Sequence, residues 1–222
     1  TRLAFFSNRD GNYEIYVMNA AGTGQTRLTN HTANDSYPFW SPDGSKLALT
    51  LSGSGGNLDI YVLELASQAL TRITDDPGID TEATWSPDGS ALYFTSDRSG
   101  GPQVYRVAPS AGGRPQRVTF AGSYNARPRI SPDGGKLAYV TLDGGGYKVA
   151  IQDLAGGGGS VLSKGRFDES PSFAPNGATL IYAGRERGQG MLATVSADGL
   201  ITQRLKSDRG EVREPAWGPF LR

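Results

Sequence analysis

The sequence has no cysteine and only one histidine, His31, and its charges balance at 22 basic and 22 acidic side chains. Without cysteine there can be no disulfide, thiolate metal site or cysteine nucleophile. A single histidine excludes a zinc site built from several histidines and argues against Ser-His-Asp chemistry. A nucleic-acid partner needs a local excess of lysine and arginine, which this balance does not indicate.

Long apolar runs are missing as well. None approaches the roughly 18 residues of a membrane-spanning helix, and the first residues show no signal-peptide pattern. Glycine is abundant instead, with 31 copies among 222 residues, and 13 prolines accompany it. We therefore expect a β-rich chain with a buried core, no membrane insertion and no nucleic-acid partner.

A five-residue motif recurs along the chain. Trp-Ser-Pro-Asp-Gly at 40–44 returns at 85–89 and, with isoleucine first, at 130–134, before weaker copies at 173–177 and 217–219. Proline presets φ, and aspartate and glycine tolerate the bend, so each copy is a turn. The copies lie 43 to 45 residues apart, and one turn per such unit is typical of four-stranded propeller blades.

Each unit contains four segments with strand-like alternation and no helical periodicity. The N-terminus matches a second strand at Leu3–Phe6, and Pro215–Trp217 matches a first strand, so the two ends are predicted to complete one blade. The prediction is a monomeric, all-β, five-bladed propeller forming a single domain. Its blades are residues 1–30 with 214–222, 38–74, 83–120, 128–163 and 171–206.

The loops that lead into the innermost strands of a propeller surround the mouth of its central channel. Here these loops carry acids, amides, arginine and tyrosine, and the residue type differs from blade to blade. Either folding leaves polar residues at a wet surface, or the mouth binds a partner. The predicted partner-binding residues are Tyr37, Asp80, Thr81, Glu82, Asn125, Arg127, Asp168, Glu169, Arg213 and Glu214.

Several stretches resemble the TolB-type propellers of the bacterial Tol–Pal cell-envelope system. They are residues 41–48, 80–82, 92–98, 116–120, 152–154, 168–177 and 211–217. The resemblance implies a non-enzymatic periplasmic protein whose channel mouth binds the peptidoglycan-associated lipoprotein Pal. It places Thr81 and Glu82 at positions of the family's binding loop. We expect no cofactor and no metal, and His31 is expected to be solvated.

TolB-type proteins have six blades preceded by an α/β domain, whereas these residues provide five blades. The alternative is therefore a shortened, chimeric or engineered propeller scaffold that has kept no ligand. A carbohydrate-active enzyme is a weaker alternative, with Glu82 and Asp168 as acid and base. It would need an aromatic platform for the sugar, for which Tyr37 and Tyr124 are the obvious candidates.

Overall fold

The computed structural model describes residues 2–52, 56–156, 158–186, 188–205 and 211–218. These residues form nineteen strands and no helix, and they therefore contain no helix able to cross a membrane. The first two sheets contain β1 (Arg2–Ser7), β2 (Glu14–Asn19) and β3 (Thr26–Arg27), then β4 (Asp35–Trp40), β5 (Lys46–Ser52), β6 (Leu58–Glu64) and β7 (Leu70–Arg72).

The other three sheets follow the same order. They contain β8 (Asp80–Trp85), β9 (Leu92–Ser96), β10 (Gln103–Val107) and β11 (Gln116–Arg117), then β12 (Asn125–Ile130), β13 (Lys136–Asp143), β14 (Gly146–Asp153) and β15 (Gly159–Val161), and finally β16 (Glu169–Phe173), β17 (Thr179–Glu186), β18 (Gln189–Ser196) and β19 (Thr202–Leu205). Consecutive strands pair antiparallel throughout. The predicted all-β, five-bladed propeller is confirmed.

The first sheet has three strands among the described residues, and 211–218 carry no regular secondary structure. Within that segment the Trp217 N–H donates to Ser172 Oγ on β16 at 3.1 Å. Closure of the ring by Pro215–Trp217 stays a prediction, and Pro219 of the last repeat lies outside the described residues.

The chain divides into two compact units, residues 1–101 with 105–118 and residues 102–104 with 119–222. The predicted single-domain organisation and blade boundaries stay predictions. In the first unit, the second and third sheets meet through Ile60, Leu92 and Phe94, all fully buried. In the second unit, the fourth and fifth sheets meet through Val149, Leu180 and Val195. Strand β5 is buried on both faces because the first and third sheets pack against it.

The repeated turn is held by its own side chains. In the third sheet, Ser86 Oγ donates to Asp88 Oδ1, and the same oxygen accepts from the Ser90 N–H at 3.0 Å. The Ala91 N–H donates to Ser86 Oγ at 2.9 Å, immediately before β9. Asp43 and Asp133 make the equivalent bonds in their own turns. The motif therefore specifies where the second strand of each blade begins.

These hydrogen bonds make the turns sensitive to acid. The bond from Ser86 lowers the pKa of Asp88 to about 2, and the bond from Ser41 does the same for Asp43. A carboxylate whose pKa is lowered by folding stabilises the fold above its unfolded pKa near 4, and this is lost as pH falls towards 2.

We therefore expect Asp88→Asn to lower the melting temperature at pH 7 and to reduce its decrease between pH 5 and pH 2.5. Scanning calorimetry across this range measures both effects. The exposed Asp75 lies outside the turns, so Asp75→Asn should keep the acid dependence of the parent. An unchanged acid dependence in Asp88→Asn would show that the turn carboxylate has no such role.

Candidate functional site

The innermost strand of each of the last four sheets contains a β-bulge near its start. The register of β4 against β5 shifts between Ser36 and Phe39, and equivalent shifts occur in β8, β12 and β16. A bulge leaves residues out of the ladder and redirects their side chains. These strands begin two or three residues before the predicted blade starts at 38, 83, 128 and 171, which lie inside the bulges.

A residue with positive φ occupies the same place in every repeat. These residues are Tyr37, Glu82, Arg127, Ser170 and Glu214, with φ between 51° and 59°. A left-handed conformation is unfavourable for side chains of this size and costs about 1–3 kcal/mol at each position. Glu214 has the same left-handed conformation, although its segment has no strand pairing among the described residues. The repeat therefore extends to the fifth mouth loop.

The residue two places before each bulge is buried instead of exposed. Asp35, Asp80, Asn125 and Asp168 are at most 2% exposed. Three of the predicted partner-binding residues, Asp80, Asn125 and Asp168, belong to this set. Their side chains hold the loops in place beneath the mouth, and no partner can reach them in this conformation.

A buried hydroxyl accompanies each of these positions. Thr29, Thr74, Thr119 and Ser163 each accept a backbone N–H from the preceding sheet at 2.9 Å. In the third sheet Thr119 also donates to Gln103 Oε1, which in turn accepts from Asn125 Nδ2. The hydroxyl and the buried acid or amide thus connect the outer part of one blade to the start of the next.

A contact within the third sheet joins Asp80 on β8 to Arg98, which follows β9. The Arg98 guanidinium donates to both carboxylate oxygens of Asp80 at 2.7 and 2.9 Å. It also lies over the rings of Phe94 and Tyr105, 5.5 and 5.0 Å from their centroids. This pair holds the loop before β8 in place.

Asp168 is buried without an arginine. It accepts the Gly165 N–H at 2.8 Å, and burial raises the pKa of its carboxyl. Gly165 and Gly184 are required beside it, because a Cβ on either residue would come within 2.7 Å of Asp168 Oδ1. The fold therefore explains Asp168 without any catalytic role.

The second unit contains a cavity of about 290 Å³ beside the mouth loops. Its lining includes three of the predicted residues, Arg127, Glu169 and Arg213, which the structure brings together. Arg127 Nη1 lies 3.0 Å from Glu169 Oε2. The remaining predicted residues, Tyr37, Thr81, Glu82 and Glu214, do not line it.

Sequence reasoning missed part of this lining, because it comes from hairpins and not from the mouth loops. Tyr147 follows the turn between β13 and β14, and Arg185 lies near the end of β17. The Tyr124 and Tyr147 rings meet edge to face at 5.1 Å between centroids. Antiparallel pairing places each hairpin tip near the start of the innermost strand, which is a signal that could have identified them.

Glu211 is the centre of the charge network in this cavity. It accepts from Arg185 and Arg213 at 2.5 and 2.8 Å. The hydrogen bond from Arg213 lowers the pKa of Glu211, and the same bond raises the pKa of Arg213. With Arg127 and Glu169 added, three arginines face two glutamates, so the lining has one surplus positive charge.

The mouth residues of the first unit are only partly buried. Glu82 Oε2 accepts from Thr95 at 3.1 Å, and the Glu82 N–H donates to Thr50 Oγ1 at 3.2 Å. Thr81 Oγ1 lies 3.4 Å from the same Thr50 oxygen. The Tyr37 ring packs 5.9 Å from the Phe6 centroid. These contacts orient the side chains and leave part of each exposed.

Comparison with known proteins assigns the family. Residues 36–221 match the family described as the TolB beta propeller domain. A 79-residue stretch is 60% identical to the Tol-Pal system protein TolB of Methylobacillus flagellatus, covering 36% of this chain and 18% of that protein. The crystal structure of TolB from Acinetobacter baumannii superposes with a TM-score of 0.91 at 43% identity, covering 99% of this chain and 55% of that one.

A putative TolB from Agrobacterium tumefaciens also superposes, with a TM-score of 0.82 over 98% of this chain and 75% of that chain. At 20% identity this likeness shows the fold alone. The chain spans about half of the Acinetobacter structure, and its matched stretch is a small part of the Methylobacillus protein. The family match covers most of its residues, and the chain belongs to the TolB β-propeller domain family.

Proposed function

We propose that this chain is a non-enzymatic protein-binding propeller whose channel mouth receives a segment of Pal. The proposed contact residues are Tyr37, Thr81, Glu82, Arg127, Glu169, Arg213 and Glu214. Relatives with matching segments are named Tol-Pal system proteins, which supports Pal as the partner. By the same resemblance we propose a periplasmic location and a monomer.

One observation carries this proposal. Side chains that the fold needs repeat from blade to blade, as the turn aspartates and the buried acids or amides do. The five left-handed mouth positions instead hold Tyr, Glu, Arg, Ser and Glu. Backbone strain repeated at equivalent positions with different side chains is expected where a surface must match a partner.

The cavity beside the mouth indicates the chemistry of the bound segment. Its surplus positive charge comes from Arg127, Arg185 and Arg213, and its aromatic rings include Tyr124 and Tyr147. Arginine and tyrosine are enriched among the residues that dominate binding at protein interfaces. An acidic or polar partner segment with an apolar side chain would complement both features.

The geometry gives less support to the enzymatic alternative. Asp168 is 2% exposed and bonded to its own loop, so it is not available to a sugar as acid or base. The alternative of a propeller scaffold with no ligand predicts no Pal binding by a folded chain. A single titration therefore separates the binding platform from the scaffold.

Titration calorimetry with the soluble domain of Pal tests the proposal. We expect saturable one-to-one binding that weakens about tenfold or more in Arg213→Ala and in Glu82→Ala. Lys136→Ala is the matched control. Lys136 is the first residue of β13, at the end of the strand away from the mouth loops, and it forms an exposed ion pair with Asp153 on β14. Absence of heat from a parent chain that unfolds cooperatively would contradict the proposal and favour the scaffold.

A further inference from the structure

A second polar cluster lies where the first sheet meets the start of the second. Glu14 begins β2, Asp35 begins β4, and His31 lies on the loop between β3 and β4. One ligand atom from each of the three side chains lies within 4.8 Å of the other two. Glu14 and Asp35 are at most 1% exposed, whereas the His31 side chain is 42% exposed. The cluster therefore opens to solvent on the histidine side.

Glu14 uses its two oxygens unequally. Its Oε1 accepts from Asn12, from Arg27 at 2.6 Å and from the His31 N–H at 2.8 Å. Its Oε2 accepts from the Thr29 hydroxyl at 2.6 Å. Oε1 is saturated with donors, so Oε2 is the oxygen that can accept a further ligand.

Asp35 has an unsatisfied oxygen. Its Oδ2 lies 2.8 Å from His31 Nδ1, while its Oδ1 is buried and has no hydrogen-bond partner. Buried polar atoms without a partner are rare in folded proteins, and a bound ion is one explanation for them. Burial raises the pKa of the Asp35 carboxyl.

The equivalent place where the second sheet meets the start of the third shows how a pair of buried carboxylates is compensated. There Asp59 and Asp80 occupy the places of Glu14 and Asp35, and both are fully buried. Arg72 lies 2.7 Å from Asp59, and Arg98 lies 2.7 Å from Asp80. Each carboxylate thus has its own guanidinium.

Where the first sheet meets the second, only one of the two buried carboxylates is paired with a guanidinium. Arg27 pairs with Glu14, whereas Asp35 pairs with the imidazole of His31 instead of with a guanidinium. Arg27 also lies 3.7 Å from a carboxylate oxygen of Asp10. With a neutral imidazole, the two buried carboxylates of Glu14 and Asp35 face one guanidinium, which leaves one surplus negative charge.

We propose that Glu14, His31 and Asp35 form a binding site for a divalent transition-metal cation of the zinc type. A divalent cation offsets the surplus negative charge and satisfies the buried Oδ1 of Asp35. One imidazole nitrogen with two carboxylate oxygens is a donor set that zinc accepts, whereas calcium and magnesium prefer oxygen ligands alone. A fourth position is left for water on the exposed side.

The cluster needs a small adjustment to close on the ion. Bonds of about 2.0–2.1 Å in a tetrahedron place ligand atoms about 3.4 Å apart, compared with the 4.8 Å limit of the present cluster. His31 is the exposed member and sits on a loop, so its ring has the most freedom to move towards the ion.

The test uses the full chain after dialysis against a chelator. We expect zinc to raise the melting temperature by about 5 °C or more at a hundredfold excess over Kd, with much smaller effects of calcium and magnesium. Cobalt should give the visible absorption of a nitrogen- and oxygen-ligated site. His31→Gln and Asp35→Asn should each weaken zinc binding at least tenfold, as measured by calorimetry.

Asp10→Asn is the matched control, because Asp10 is a half-exposed neighbouring carboxylate outside the proposed ligand set, and it should keep most of the zinc affinity. Circular dichroism of each variant confirms that it folds. Zinc affinity unchanged in His31→Gln would overturn the site. A melting temperature that depends on His31 protonation but not on zinc would also overturn it, because the cluster would then be a proton-dependent ion pair.

Discussion

Replacing Asp80 by asparagine is expected to lower the free energy of unfolding by about 3 kcal/mol. The substitution keeps the shape of the side chain but removes the charge that compensates Arg98. Arg98 is 16% exposed, so its guanidinium would keep an uncompensated charge against the rings of Phe94 and Tyr105. Urea unfolding at pH 7 measures the difference.

Two further variants separate the ion pair from a general effect of removing charge. Asp76 also lies near Arg98, at 3.9 Å, but is 33% exposed, so Asp76→Asn should change stability by less than about 1 kcal/mol. Adding Arg98→Met to Asp80→Asn should recover part of the loss, because the uncompensated charge disappears. Equal losses from Asp80→Asn and Asp76→Asn would contradict the structural role of Asp80.

Leu92→Ala is expected to cost about 2–5 kcal/mol of unfolding free energy. Leu92 begins β9, is fully buried and belongs to the cluster between the second and third sheets. Truncation removes apolar burial and leaves a cavity where two sheets interdigitate. Urea or thermal unfolding reports the loss, and two-state behaviour should be checked with two spectroscopic probes.

The same substitution at an exposed leucine provides the control. Leu200 follows the turn after β18 and is 82% exposed, so Leu200→Ala should stay within about 0.5 kcal/mol of the parent. A comparable loss in both variants would show that stability is not concentrated in the sheet-to-sheet core.

Most of the fold could be predicted from the sequence because the turn motif repeats. The bonds among Ser86, Asp88, Ser90 and Ala91 are local, and they define the start of β9 from six consecutive residues. The starts of the innermost strands were less predictable. Their bulges depend on pairing with a neighbouring strand, as between β8 and β9, and no local pattern specifies that register.

The site could be predicted only in part. Arg127, Glu169 and Arg213 do meet at one cavity, because equivalent loop positions converge when blades repeat. Asp80, Asn125 and Asp168 stand on the same loops and look equally polar in sequence, yet they are buried. Only the three-dimensional pairing with Arg98, Gln103 and Gly165 distinguishes them.

His31 shows the same limit at a single residue. Its surroundings in sequence indicate a solvated loop, and its side chain is indeed partly exposed. Its bond to the buried Asp35 depends on β4 lying beside the start of β2, where the Asp35 N–H donates to the Tyr13 carbonyl at 2.8 Å. That contact between two sheets has no signature in the local sequence.

The claim that the mouth binds a partner is tested most directly by hydrogen exchange of this chain with and without the soluble domain of Pal. We expect slower exchange at residues 124–127, 166–169 and 211–214, with no change in the turns at 41–44 and 131–134. Protection confined to those turns, or no protection at Pal concentrations that saturate binding, would contradict it.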